Sequence, residues 1–144
     1  AVLPALCEEL AFRGVFQPLF ARGTGRLHLG IWLGAAVFSA IHMQFHGFLP
    51  RMFIGAGLGY LVVWSGSIWP AVAAHFVNNA GTVIQAKAFG EEWVRAEMNA
   101  SGPWEGSDYA VAAVCAVGLA LAWWAMRKLA PWKAQAARYC EAVR

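Results

Sequence analysis

Charge is what this sequence has least of. Only 13% of its 144 residues are charged, about half the quarter usual in soluble domains. No long block of like charge occurs, which excludes a nucleic-acid-binding tail. Cysteine is also scarce: Cys7, Cys115 and Cys140 are an odd set without metal or disulfide spacing. Two of them lie in apolar segments, where cysteine behaves as a small hydrophobe. Alternation of apolar and polar residues is missing, so membrane strands are not expected. Internal repeats, low-complexity tracts and a secretory leader with a basic start are missing too.

What is present is apolar. Hydrophobic residues make up 60% of the chain, with 15 glycines and 8 tryptophans besides. From Leu27 to Ala86 the only formal charge is Arg51, and Tyr109 to Met126 carries none. A soluble protein has too much surface to cover with so few charges. Uncharged runs of 18 residues or more are candidates for membrane spans. The expectation is one all-α, polytopic membrane helix bundle over residues 1–144, with about five transmembrane helices.

Charges and helix breakers divide the chain. Segment one runs from about Pro4 to Phe20, and Arg22, Gly23, Gly25 and Arg26 form a polar turn. Segment two spans about Leu29–His46 and is broken over Gly47–Arg51 by Pro50. Segment three is Met52–Trp64. Segment four has Pro70 in its first turn, where proline is tolerated, and reaches about Phe89. Glu91–Asp108 is a polar loop, Tyr109–Met126 is segment five, and residues 127–144 are a basic tail. Lysine and arginine concentrate on one side of the membrane. Arg22, Arg26, Arg127, Lys128, Lys133, Arg138 and Arg144 fall on the side predicted cytoplasmic. Arg51, Lys87 and Arg95 fall outside. The expectations are an integral protein of a bacterial-type inner membrane, a cytoplasmic C-terminus, an external loop at 91–108 and an N-terminus outside. With no initiator methionine and an external start, the chain reads as a fragment of something longer.

Ionisable side chains inside apolar segments are costly and point to function. Glu9 and Arg13 are four apart, share a helix face and can neutralise each other. Glu8 lies about 100° further round the helix and has no cation three or four residues on. A carboxylate without a local partner in apolar surroundings suits a general base. His42 sits on segment two, one turn after Phe38. His75 and Asn79 share a face of segment four, with Asn78 off that face. Glu8, His42 and His75 are all placed in the middle of their segments, so they are expected to converge on one cavity and satisfy one another. His42 and His46, four apart, are a weaker candidate metal pair.

These residues permit hydrolysis of an amide. Glu8 takes a proton from a water that His42 holds, and His75 and Asn79 donate to the oxyanion. Glu8, His42 and His75 are equally acceptable zinc ligands, so the cofactor is either none or a divalent metal. A transporter would also place Glu and His in a membrane, but paired half-helices and repeat symmetry are not visible.

The motifs resemble a known family. Glu8-Glu9-Leu10-Ala11-Phe12-Arg13-Gly14 is similar to an EExxxR motif, Phe38–His42 to FxxxH, and His75–Asn79 to HxxxN. Gly55–Tyr60 and Ser65–Pro70 are similar to the glycine-rich span and turn between the last two. The chain resembles the CPBP family of intramembrane proteases, which includes CAAX prenyl endoproteases and bacteriocin-processing or immunity proteins. The likeness covers about residues 1–85. It implies an eight-helix fold of which this chain is the last five helices, cut before the first motif. The fragment alone is then expected to be poorly active. It also implies peptide-bond hydrolysis, with Glu8 and His42 activating water, His75 and Asn79 stabilising the oxyanion, and Glu9 and Arg13 in support. Family members have been described as metal-dependent and as metal-free. The implied partners are membrane lipid and a peptide or prenylated protein substrate. The rival reading is a non-catalytic immunity or scaffold protein that binds a peptide in the same cavity.

Overall fold

The computed structural model describes residues 2–43, 47–90, 92, 124, 128 and 131–143. Helix α1 (Val2–Ala11) passes through a π-helical turn (Phe12–Phe16) into α2 (Gln17–Thr24). Then come α3 (Leu27–Ile41), α4 (Phe48–Ser65), α5 (Trp69–Phe89) and α6 (Trp132–Ala142). No strand occurs among the described residues, so the all-helical expectation holds. Segment five and the 91–108 loop lie outside the described residues but for isolated positions.

Segment one is therefore one rod with an insertion. Proline lacks the N–H for a bond four residues back and its ring crowds that carbonyl. Pro18 sits in the first turn of α2, and the widened turn lies just before it. The Gln17 N–H bonds back to Phe12 O, the five-residue step of a π turn. Two steps of four along an α-helix drift by about 80°. The wider turn holds back that rotation, and Glu9, Arg13 and Gln17 are all buried on one face.

Two boundaries differ from expectation. α3 ends at Ile41, with His42 as its C-cap, because Met43 turns left-handed at φ 54°. A left-handed residue ends a helix, and this role is usually glycine's. His42 thus stands at a helix end, not mid-segment. His46 lies outside the described residues, and with it the His42/His46 pair. At the next boundary Pro50 does not break a helix. α4 starts at Phe48, so Pro50 falls in its first turn, where an N–H has no intrahelical acceptor to lose. Ser39 Oγ donates to Phe48 O at 2.6 Å and ties the end of α3 to the start of α4.

Small residues bring the helices close. Gly55 and Gly59 form a small-xxx-small pair on α4. A Cβ on Gly55 would lie 3.2 Å from Phe38 Cδ1, and one on Gly59 would lie 2.6 Å from Gln17 Oε1. Gly30 on α3 is tighter still: a Cβ there would sit 2.6 Å from the backbone N of Ala21. Backbone cannot swing aside as a side chain can. Gly30→Ala is therefore expected to destabilise the fold by about 1–3 kcal/mol. An unfolding midpoint in detergent equal to wild type would contradict this packing.

Helix α6 packs on the bundle. Trp132 stacks edge-on to Trp64 at 5.2 Å and lies 5.5 Å from Tyr60. A cavity lined by Arg22, Gly25, Cys140 and Val143 brings the α2–α3 turn and the end of α6 together at one end of the bundle. The apolar interior of the bundle also holds polar groups, and large apolar side chains lie on its outside. Leu3, Leu19, Phe53, Val77 and Ile84 face outward, while Glu9, Arg13, Gln17, Ser39 and His75 are buried. α4 is long and apolar enough to cross a membrane, and α3 is a shorter apolar helix. Among the described residues no other helix meets that measure.

Candidate active site

The site forms where α1, the end of α3 and α5 meet. α1 brings Glu8 and Glu9, the π turn brings Arg13, the C-cap of α3 brings His42, and α5 brings His75. Glu9 is fully buried and its Oε1 accepts two bonds, from Arg13 Nη1 at 2.8 Å and from His75 Nδ1 at 2.7 Å. Arg13 Nη2 donates to the Gly55 carbonyl of α4 at 2.8 Å. The expected i,i+4 pair is present. Its carboxylate is also the orienting partner of His75, a contact that nothing local in the sequence indicates.

Hydrogen-bond partners select the tautomers. The Phe38 carbonyl can only accept, so His42 Nδ1 donates to it at 2.8 Å. His75 Nδ1 likewise donates to the Glu9 carboxylate. In its neutral form each imidazole then presents the lone pair of Nε2. Glu8 Oε2 lies 3.7 Å from His75 Nε2 and 4.0 Å from His42 Nε2. Glu8 and His42 side chains are 30% and 34% exposed against 6% for His75. Glu8 is open to an incoming group, yet its Oε2 is turned inward and has no hydrogen-bond partner. With both rings neutral, three acceptor atoms converge there.

The Phe38 ring underlies the cluster. It meets the His42 ring at 4.9 Å, the His75 ring at 5.8 Å and the Phe12 ring at 5.0 Å, all near edge-on. The Arg13 guanidinium carbon lies 5.0 Å from its centroid, within reach of a cation–π contact. Two imidazoles and the guanidinium are therefore packed on one buried ring.

Asn79 lies one turn beyond His75 on α5, half-buried, and its side chain makes no hydrogen bond among the described residues. Asn78 is exposed. The structure gathers Glu8, Glu9, Arg13, His42 and His75, and does not join Asn79 to them. Sequence reasoning missed Gln17. It is buried, and its Nε2 donates to the Gly59 carbonyl at 3.4 Å and to the Tyr139 hydroxyl at 3.2 Å. Its signal was the spacing, one turn past Arg13. Burial raises the Tyr139 phenol above its ordinary range, opposed by the bond from Gln17.

Glu8, His42 and His75 carry donor atoms that zinc accepts. Two ligands on a tetrahedral zinc at about 2.1 Å are separated by roughly 3.4 Å. The separations here, 3.7 and 4.0 Å, are wider. Among the described residues no three His, Cys, Asp or Glu side chains are grouped to hold an ion. As placed, the residues do not fit a bound metal.

Among the described residues the chain is all-helical, buries an acid–base cluster and turns several large apolar side chains outward. The family described as type II CAAX prenyl endopeptidase Rce1-like matches residues 1–81. The match takes in every residue of the cluster, and the chain belongs to that family of integral membrane proteins, which are generally proteases. It is also similar to "Uncharacterized protein YpbD" of Bacillus subtilis (strain 168), with 30% identity over 90 residues. That stretch is 60% of this chain and 43% of YpbD, so the chain spans less than half the length of this relative. No solved structure matches.

Proposed function

We propose that this chain carries the catalytic residues of a polytopic intramembrane endopeptidase that hydrolyses a peptide bond with water activated by glutamate and histidine. The observation that carries the reading is the convergence of Glu8 Oε2, His42 Nε2 and His75 Nε2. A water placed among them donates its two hydrogens to Glu8 and one imidazole and is polarised. Glu8 takes the proton, and the hydroxide adds to the scissile carbonyl. A proton passed on to His75 Nε2 makes that group a donor to the oxyanion, beside the Asn79 amide. The same proton then leaves with the amine. Glu9 holds His75 in orientation, and Arg13 neutralises Glu9 so that His75 is not trapped by an unpaired carboxylate.

Family membership supports a prenylated protein or peptide ending in Cys-a-a-X as the substrate class. The outward apolar side chains support membrane lipid as the surroundings. The gathering of Arg22 with the end of α6 supports a cytoplasmic C-terminus in a bacterial inner membrane.

The test is cleavage of an internally quenched, prenylated Cys-a-a-X peptide by the full-length protein in proteoliposomes, with the products weighed by mass spectrometry. Cleavage within the last residues is expected, at the same rate with excess chelator. An intact peptide would overturn the substrate class. Loss of rate in chelator, restored by zinc, would overturn water activation by side chains alone.

A further inference from the structure

The polar column of Glu9, Arg13 and Gln17 continues past the motifs into α6. Arg13 anchors it to the Gly55 carbonyl above, and Gln17 anchors it to the Gly59 carbonyl below. Arg13 lies within the π turn and Gln17 directly follows it. Gln17 has two amide hydrogens. One goes to Gly59 O and the other to the Tyr139 hydroxyl. Gln17 is 2% exposed, so an amide hydrogen left over there would find no water. Without the hydroxyl it would turn to seek another acceptor and leave Gly59. Tyr139 is itself fixed, because its ring packs against both apolar clusters of the bundle. Helix α6 lies beyond the residues matched by the family.

We propose that Tyr139 is a positioning residue of the protease: by holding Gln17 against Gly59 it sets the rotation of the α1–α2 rod, and with it the aim of Glu8. This rests on the proteolytic reading of the site. Smooth contacts such as Ala21 on Gly30 let helices approach but carry no polar mark of rotation. The polar anchors supply that mark. A reacting group misplaced by about 1 Å loses up to about a hundredfold in rate, so a small rotation of the rod is felt at Glu8.

The full-length protein in nanodiscs, with the quenched prenylated peptide as probe, gives the test. Tyr139→Phe keeps the ring and removes the hydroxyl. Its kcat is expected to fall about three- to tenfold, with KM little changed and the unfolding midpoint lowered only by the cost of one unsatisfied amide hydrogen. Gln17→Met is expected to lower kcat at least as far, and adding Tyr139→Phe to it to cost nothing further. Amide hydrogen exchange over residues 8–17 is expected to quicken in Tyr139→Phe. Unchanged exchange there, or independent effects of the two substitutions on kcat, would overturn the proposal. Glu8→Gln is assayed alongside. If it cleaves at the wild-type rate, the proteolytic reading has failed, and the exchange measurement still decides on the clasp. If Glu8→Gln is inactive while Tyr139→Phe keeps wild-type kcat, the clasp alone has failed.

Discussion

Glu8→Gln is expected to lower kcat on the prenylated peptide by about 10²- to 10⁴-fold, the contribution of a positioned general base. KM and fold are expected to be retained. Glu8 Oε2 makes no hydrogen bond that the substitution could remove. The glutamine amide even adds donors to a place where acceptors converge, since His75 Nε2 and His42 Nε2 lie 3.7 and 4.0 Å away. The unfolding midpoint is therefore expected to stay level or rise slightly, as it does where a site carries strain for the sake of function. Loss of kcat together with undiminished stability marks a group that serves chemistry. Wild-type turnover by Glu8→Gln would sink the assignment of Glu8 as base. A fall in stability matching the loss of rate would move Glu8 to the scaffold.

The opposite fates of two adjacent carboxylates were legible in the sequence. Glu9 has a cation one turn on and Glu8 has none, and about 100° of helix separates them. The structure buries Glu9 under Arg13 and leaves Glu8 partly open. Helix type and most helical segments were equally legible, because long apolar runs with few charges leave little choice. The end of α3 was not. Its stop is Met43 in a conformation that usually selects glycine, and a methionine sends no such signal. Pro50 misled for the converse reason: proline reads as a breaker, yet in a first turn it costs no hydrogen bond.

Partnerships across helices were the least legible. Glu9 and His75 are 66 positions apart, and nothing local in either segment links them. The motif spacing places His75 and Asn79 on one face, and tertiary packing adds the bond from the His75 ring to Glu9. Gln17 carries no local signal in the sequence beyond lying four residues after Arg13. Only the π turn, which no periodicity announced, brings it into line with Arg13, and only the packing of α6 supplies its second acceptor.

Arg13→Met is expected to be the most damaging single change to the fold. The pair it breaks is buried on both sides, with side chains 2% and 0% exposed at 2.8 Å. Removing one partner of a buried pair costs about 3–5 kcal/mol. The lower end, about 3 kcal/mol, is expected here, because a chain unfolded within the membrane finds other partners for its polar groups. The loss comes from the stranded Glu9 carboxylate more than from the missing bond to Gly55. Adding Glu9→Gln should therefore recover most of the stability: an amide is neutral and still accepts from His75 Nδ1. Activity should not recover with it, since the neutral amide no longer holds His75 as a carboxylate does, and Phe38 has lost the guanidinium packed on its ring. Unfolding midpoints in detergent and kcat on the quenched peptide, measured for both variants, separate the two effects. A double variant no more stable than Arg13→Met would show that Arg13 holds the fold through Gly55 and not through Glu9. A double variant with wild-type kcat would show that the charge on Glu9 has no part in orienting His75.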